Sequence, residues 1–304
     1  MKKVKTPLIS AIVGAGLAAG AAVWSRRQKN EKKAPAPMPA PAIKLETELQ
    51  NRLVEFLEQD RFSLRIQPVV DFRDSTVENG EALSRLNHPE LGVIFPDEFL
   101  PMVDKLGLYP RFDRYIFRKT CAWVSNTLMN REKFSCLSCN FSRKTLSEAS
   151  IAEDLIRIAD RYDVPHHMLG VEITERERET DVSLFIQNLE RLKAAGFRII
   201  LDDYGNGVTS INDLMQYPLD VVKIDRSMLL KTETQQGVAN FRALVSTATG
   251  LGAEIVCEGI ETEEQARFAR ESGCHYGQGF LYFKPAAQEQ VFELIRRSSG
   301  DGNT

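Results

Sequence analysis

The feature that most constrains this chain is an alternation. Eight short apolar runs recur along it: Leu64–Val70, Gly80–Leu86, Phe134–Phe141, Leu169–Thr174, Phe197–Leu201, Asp220–Ile224, Glu254–Cys257 and Tyr276–Leu281. Runs this short and bounded by polar residues read as strands. Between most of them lie Phe99–Leu106, Phe112–Leu128, Ile151–Tyr162, Val182–Ala195, Val238–Leu251 and Glu263–Ser272, whose apolar residues fall at helical spacing. Eight strands alternating with helices over about 250 residues predict a (β/α)8 barrel of the TIM type. A doubly wound open sheet is the competing architecture.

Polar residues collect where these runs end. Phe197-Arg-Ile-Ile-Leu ends in Asp202-Asp203, Leu169-Gly-Val in Glu172-Ile-Thr-Glu175, Ile255-Val-Cys in Glu258, and Leu137-Ser-Cys in Asn140. In a barrel all of them converge on the C-terminal rim, where such enzymes place their chemistry. Two adjacent acids cannot both be buried without a counter-charge. Carboxylate and amide oxygens without a well-placed His or Cys suit Mg²⁺ or Mn²⁺ and not zinc. Lys223 and Asp225, two apart at the end of a run, are expected to share one face. Cys136 and Cys139, three apart, are expected on opposite faces, so they do not form half of a zinc site.

The termini differ in character from this body. Thr6–Trp24 is uncharged over 19 residues, about 28 Å as a helix, enough to span a hydrocarbon core. It is expected to be a single membrane anchor, with a cleaved signal peptide as the competing reading through Lys2, Lys3, Lys5 and the small residues at 19–21. Arg26, Arg27, Lys29, Lys32 and Lys33 follow at once and favour retention of the body on the cytoplasmic side of the inner membrane. Residues 25–42 read as a basic, then Pro/Ala-rich, linker; 43–298 as one domain; 299–304 as a tail. Residues 1–33 carry +7 of a chain whose net charge is −3, leaving the remainder at −10. So acidic a body is not expected to bind DNA or RNA duplexes through a broad basic surface, and a phosphate ligand would need metal ions or a few placed cations. The five cysteines are odd in number and mostly within apolar runs, which fits a reducing compartment.

A set of ordered motifs goes further. Gln67-Pro-Val-Val-Asp71, Glu81-Ala-Leu-Ser-Arg85, His88-Pro-Glu-Leu-Gly92, Asn140-Phe-Ser142, Glu172-Ile-Thr-Glu175, Asp202-Asp-Tyr-Gly205, Lys223-Ile-Asp-Arg-Ser227, Glu258-Gly-Ile-Glu261 and Gln278-Gly279 follow one another from about Leu64 to Pro285. This stretch resembles the EAL-domain cyclic di-GMP phosphodiesterases. The resemblance implies a barrel of the EAL type and hydrolysis of cyclic di-GMP to linear pGpG at a two-metal site. It implies Glu81, Asn140, Glu172 and Asp202 as ligands of one metal, and Asp202, Asp203 and Glu258 as ligands of the other. Lys223 and Asp225 match residues that position and activate the attacking water, and Gln278 one that lines the site. Gln67 and Arg85 match substrate-binding residues, and Glu175 the acid that steadies the loop after Asp203. It also implies a homodimer paired beside the Asp203–Ser210 loop, to which the Gly16/Gly20 spacing in the anchor would add. That loop reads Tyr204-Gly-Asn-Gly-Val-Thr209 where the family usually has Phe-Gly-Thr-Gly-Tyr-Ser, and Leu86 stands where Trp is common. The competing functions are a catalytically silent cyclic di-GMP receptor and a scaffolding module.

Overall fold

The eight expected runs close into one barrel, but the first strand runs against the other seven. The computed structural model of the chain describes residues 40–174, 181–205 and 211–298, and for 40–44 and 211–213 the backbone only. The anchor segment 6–24, most of the linker, Glu175, the run 206–209 and the tail 299–304 lie outside the described residues. No helix among the described residues is long and apolar enough to cross a membrane. The chain divides into two units, 1–47 and 48–304. Helix α1 (Ala40–Glu58) begins inside the expected spacer. Pro41 falls in its first turn, where a proline forfeits no intrahelical hydrogen bond.

Nine strands follow: β1 (Phe62–Asp71), β2 (Val77–His88), β3 (Gly92–Ile94), β4 (Cys136–Phe141), β5 (Leu169–Thr174), β6 (Arg198–Tyr204), β7 (Val221–Ile224), β8 (Glu254–Cys257) and β9 (Tyr276–Gly277). From β2 the barrel proceeds through β4 to β9 in parallel. β1 closes it, antiparallel to both β2 and β9, because the short turn between β1 and β2 makes a hairpin with no crossover helix. β3 is an outer hairpin partner of β2 that the apolar pattern does not show. His88 shapes its turn by accepting the Glu90 and Leu91 amides at Nδ1, 3.2 and 3.1 Å. The last expected run is a strand for two residues only. A Cβ on Gly279 would sit 2.1 Å from the Ile260 carbonyl oxygen, so there the chain passes hard against the loop after β8 and leaves the sheet.

Helices cover the outside: α2 (Pro96–Lys105), α3 (Tyr109–Met129), α4 (Arg143–Leu146), α5 (Ile151–Arg161), α6 (Val182–Ala194), α7 (Ile211–Gln216), α8 (Arg226–Leu230), α9 (Gln235–Gly250), α10 (Glu263–Glu271) and α11 (Gln288–Ser298). β5 is buried on both faces apart from its last residue, as a parallel strand between a filled barrel and its helices must be. Phe117 on α3 packs its ring 5.7 Å from Phe141 and 6.1 Å from Phe197. Each such ring stabilises the fold by about 1.5–3 kcal/mol through burial alone. Inside the barrel, Val69, Ile200, Val221, Val256 and Tyr276 form an apolar layer beneath the residues considered next.

Candidate active site

Strand alternation builds the site directly. Residues two apart on a strand share a face, so β6 and β7, which put Ile200 and Val221 into the barrel, also put Asp202 and Lys223 there, one step nearer the C-terminal mouth, while Glu258 and Gln278 follow directly on the ends of β8 and β9 and reach the same place. Register brings the others level with them. Glu81 pairs with Gln67 across β1 and with Ser138 across β4, while Asn140 pairs with Glu172 across β5. Gly170, two before Glu172, has no room for a side chain. A Cβ there would lie 2.7 Å from the Ser138 Cβ and 2.9 Å from the Ile200 Cδ1.

Adjacent strand residues normally face opposite ways, yet Asp202 and Asp203 serve one cluster. A bulge explains it. Between Leu201 and Tyr204 the β6–β7 register gains a residue, and Asp203 takes φ 60°, the left-handed region. A non-glycine residue there costs about 1 kcal/mol or more, and such strain is characteristic of functional sites. The bulge lets carboxylate oxygens of Asp202, Asp203 and Glu258 come within 4.8 Å of one another, as do those of Glu81, Glu172 and Asp202.

One cation stands among these acids. The Lys223 Nζ lies 2.9 Å from Glu81, 3.2 Å from Glu172, 3.1 Å from Asp202 and 2.8 Å from Glu258. An ammonium has three N–H groups for four carboxylates, so charge exceeds what hydrogen bonds can serve. Asn140 Nδ2 and Gln278 Nε2 donate to the two oxygens of Glu81 at 2.9 and 3.0 Å. Ser138 Oγ donates to Glu172. Burial opposes the charge on Glu81, but Lys223 and the two amides hold its carboxyl below the usual range. Burial, with the neighbouring charges of Glu81 and Asp202, pushes Glu172 up to about 8. Burial likewise raises Asp202 and Glu258, against the pull of Lys223. Lys223 itself is raised well above its ordinary value, since the four carboxylates outweigh its burial. Among the described residues no other ammonium or guanidinium pairs with Glu81, Glu172, Asp202 or Glu258. The buried Gln278 Oε1 is also without a hydrogen-bond donor. An all-oxygen set with surplus negative charge and a spare acceptor fits hard divalent cations.

Of the expected site residues, the structure brings together Glu81, Asn140, Glu172, Asp202, Asp203, Lys223, Glu258 and Gln278. Gln67 lies opposite Glu81 across the hairpin, and Arg85 stands further along β2 toward the mouth. Asp225 departs from expectation. β7 ends at Ile224, so Asp225 does not share the strand with Lys223; it caps α8 by accepting the Ser227 amide at 2.9 Å. Glu175 lies outside the described residues. Two supporting residues went unnoticed in the sequence. Ser138 could have been found, being two before Asn140 on the same strand face. Asp113 could not: it sits on α3, accepts the Ser142 amide at 3.0 Å and bonds Thr145, so it anchors the turn after β4 from 29 residues away in sequence.

Comparison with known proteins agrees with this geometry. The EAL domain family matches residues 50–285. Cyclic di-GMP phosphodiesterase NbdA of Pseudomonas aeruginosa is 28% identical over 252 residues, covering 83% of this chain and 32% of NbdA. The chain thus spans about a third of that relative's length. Among solved structures, the phosphodiesterase PaMucR in complex with c-di-GMP is 30% identical with a TM-score of 0.75, over 80% of this chain and 99% of that one. The EAL enzyme Bd1971, in its cAMP and cyclic-di-GMP bound form, is 25% identical with a TM-score of 0.76, over 84% and 70% of the two chains.

Proposed function

We propose, from the premise that this chain belongs to the EAL domain family, that it is a divalent-metal-dependent phosphodiesterase opening cyclic di-GMP to linear pGpG. The observation that carries this reading is one ammonium among four carboxylates, in a barrel whose fold is similar to that of PaMucR. Glu81, Asn140, Glu172 and Asp202 would hold one ion, and Asp202, Asp203 and Glu258 a second. When bound, such ions supply Lewis-acid neutralisation of the phosphate oxygens and a nucleophile at neutral pH.

The chain's own residues supply the rest. Asn140 and Gln278 fix the Glu81 carboxylate in place, and Ser138 does the same for Glu172. Lys223 donates to the attacking oxygen and offsets the negative charge that builds on the phosphate. Asp225, just past β7, orients that water together with Lys223. Arg85, further toward the mouth, and Gln67, level with Glu81, bind the substrate, and Glu175 steadies the loop after Asp203.

Segment 6–24 anchors the chain in the inner membrane with the barrel in the cytoplasm, supported by the five cations that follow it. The working unit is a homodimer joined beside the loop after Asp203. Incubation of the full chain with cyclic di-GMP and Mg²⁺ or Mn²⁺, with products resolved over time, tests the activity. Appearance of pGpG that EDTA abolishes is the expected result. Binding of cyclic di-GMP without any pGpG refutes the enzyme in favour of a receptor.

A further inference from the structure

Lys223 and Arg85 are not the only buried cations. Arg143 opens α4, directly after Ser142 at the end of β4, and is only 3% exposed. Its Nε donates to the Thr174 carbonyl at 3.0 Å, and its Nη1 donates to the Tyr217 hydroxyl at 2.9 Å. The rings of Phe185 and Tyr217 lie 5.3 and 5.4 Å from the guanidinium carbon and meet each other edge to face at 5.4 Å. The turn that carries Arg143 is itself fixed, since Asp113 accepts both the Ser142 amide and the Thr145 hydroxyl. A core built for stability alone would hold an apolar side chain here, because desolvating a guanidinium offsets much of what its bonds contribute.

We propose that Arg143 is a positioning residue, which ties the end of β5 to the end of α7 and so holds Asp202 and Asp203 where they share divalent cations with Glu172 and Glu258. The inference rests on the metal-dependent reading of the site and extends it to a residue that touches none of the acids. β4 stops at Phe141, opposite Ile173, one residue short of Thr174. The Arg143 side chain continues where that strand ends, on a residue that stands opposite Asp202 across β5 and β6. Asp203 takes the left-handed φ of 60°, a strain that persists only where the surroundings hold it. The stretch that starts at Asp203 is fixed again at Tyr217, just past α7, by the same guanidinium. Thr174 also immediately precedes Glu175, the acid proposed to steady that stretch. A planar fork of donors that stacks on rings suits this task, since it reaches two elements at once in one fixed geometry. Apart from burial, the charges that most shift Glu81, Glu172, Asp202 and Glu258 are one another and Lys223, so Arg143 acts on them by position and not through its field.

The test compares the full chain with Arg143→Met, Arg143→Lys, Tyr217→Phe and a packing control, Ile158→Val on α5. Tyr217→Phe keeps the ring and removes only the hydroxyl that accepts from Arg143, so it decides the matter if Arg143→Met fails to fold. Mn²⁺ binding is measured by electron paramagnetic resonance, and turnover of cyclic di-GMP separately. Mn²⁺ should bind about tenfold more weakly to Arg143→Met, the lower end of what groups that orient metal ligands contribute. Arg143→Lys and Tyr217→Phe, which each lose part of the strap, should weaken binding about threefold. Turnover at fixed Mn²⁺ should fall in the same order, with KM for cyclic di-GMP within about twofold of the parent. In EDTA, Tyr217→Phe and the control should both melt about 2–4 °C below the parent, yet the control should bind Mn²⁺ as the parent does. Equal Mn²⁺ affinities in the parent, Arg143→Lys and Tyr217→Phe, or an equal weakening in the control, overturn the proposal whatever happens to turnover. If the parent binds Mn²⁺ but cleaves nothing, the phosphodiesterase falls and the binding comparison still decides for or against Arg143. A parent that binds no Mn²⁺ overturns both.

Discussion

Replacing Lys223 with methionine isolates the electrostatics of the site. Methionine matches the length and apolar stem of lysine but brings no charge, so Glu81, Glu172, Asp202 and Glu258 each lose a partner now at 2.8–3.2 Å. Removing one member of a buried ion pair costs about 3–5 kcal/mol. In a domain of this size each kcal/mol moves the melting temperature by about 2–4 °C. In EDTA, Lys223→Met should therefore melt about 6–20 °C below the parent. With the ammonium gone the acids form a stronger cation site, so Mn²⁺ should raise the melting temperature of the variant more than that of the parent. Saturation at a hundredfold over Kd is worth about 2.7 kcal/mol. Thermal unfolding followed by circular dichroism, with EDTA and with Mn²⁺, reads both quantities. A variant that melts within about 2 °C of the parent in EDTA, with no larger gain from Mn²⁺, would refute the claim that Lys223 is the counter-ion of the cluster.

Two further outcomes follow from the same geometry. Glu172 is raised in the folded protein from 4.5 to about 8, so its proton stabilises the fold fully below 4.5, and that contribution is lost as pH climbs through 8. The melting temperature in EDTA should fall between about pH 5 and 8, and Mn²⁺ should flatten the slope; a pH-independent melt in EDTA contradicts it. Gly170→Val would force atoms into a space already 2.7 Å from Ser138, costing about 1–3 kcal/mol and displacing the hydroxyl from Glu172. Turnover should drop well beyond what the stability loss explains, and Gly170→Ala should fall between; equal activity of all three proteins would show that the close approach is not needed.

The sequence carried most of the barrel because β4, β5, β7 and β8 are buried on both faces almost throughout and so read as apolar runs whatever their neighbours. It carried the acids because each ends such a run. Direction was not legible: β1 is as apolar as a parallel strand, and only the short Phe72–Thr76 turn hinted at a hairpin. Asp202 and Asp203 show the reverse case. Their adjacency was plain, but a strict two-residue period would have sent them to opposite faces, and the φ of 60° that reconciles them belongs to tertiary structure. Asp225 was misplaced for a related reason, since nothing in Val221–Arg226 marks where the strand gives way to a cap.

The reversed first strand has a mechanical consequence. In a uniformly parallel barrel the chain would start at the face away from the chemistry, and anything upstream would be separated from the reaction by the full height of the sheet. Here β1 starts at the reactive mouth and descends, so Arg65 and Gln67 lie within its first six residues. Only residues 59–61 separate it from α1, whose Phe56 packs its ring 5.3 Å from that of His88, with Glu48 Oε1 3.0 Å from the His88 Nε2, at the end of β2. A rotation or axial pull on α1 would thus travel through a three-residue coupling into the strand that sets Gln67 opposite Glu81. The helix therefore acts on the barrel mouth itself, not on the far end of the sheet.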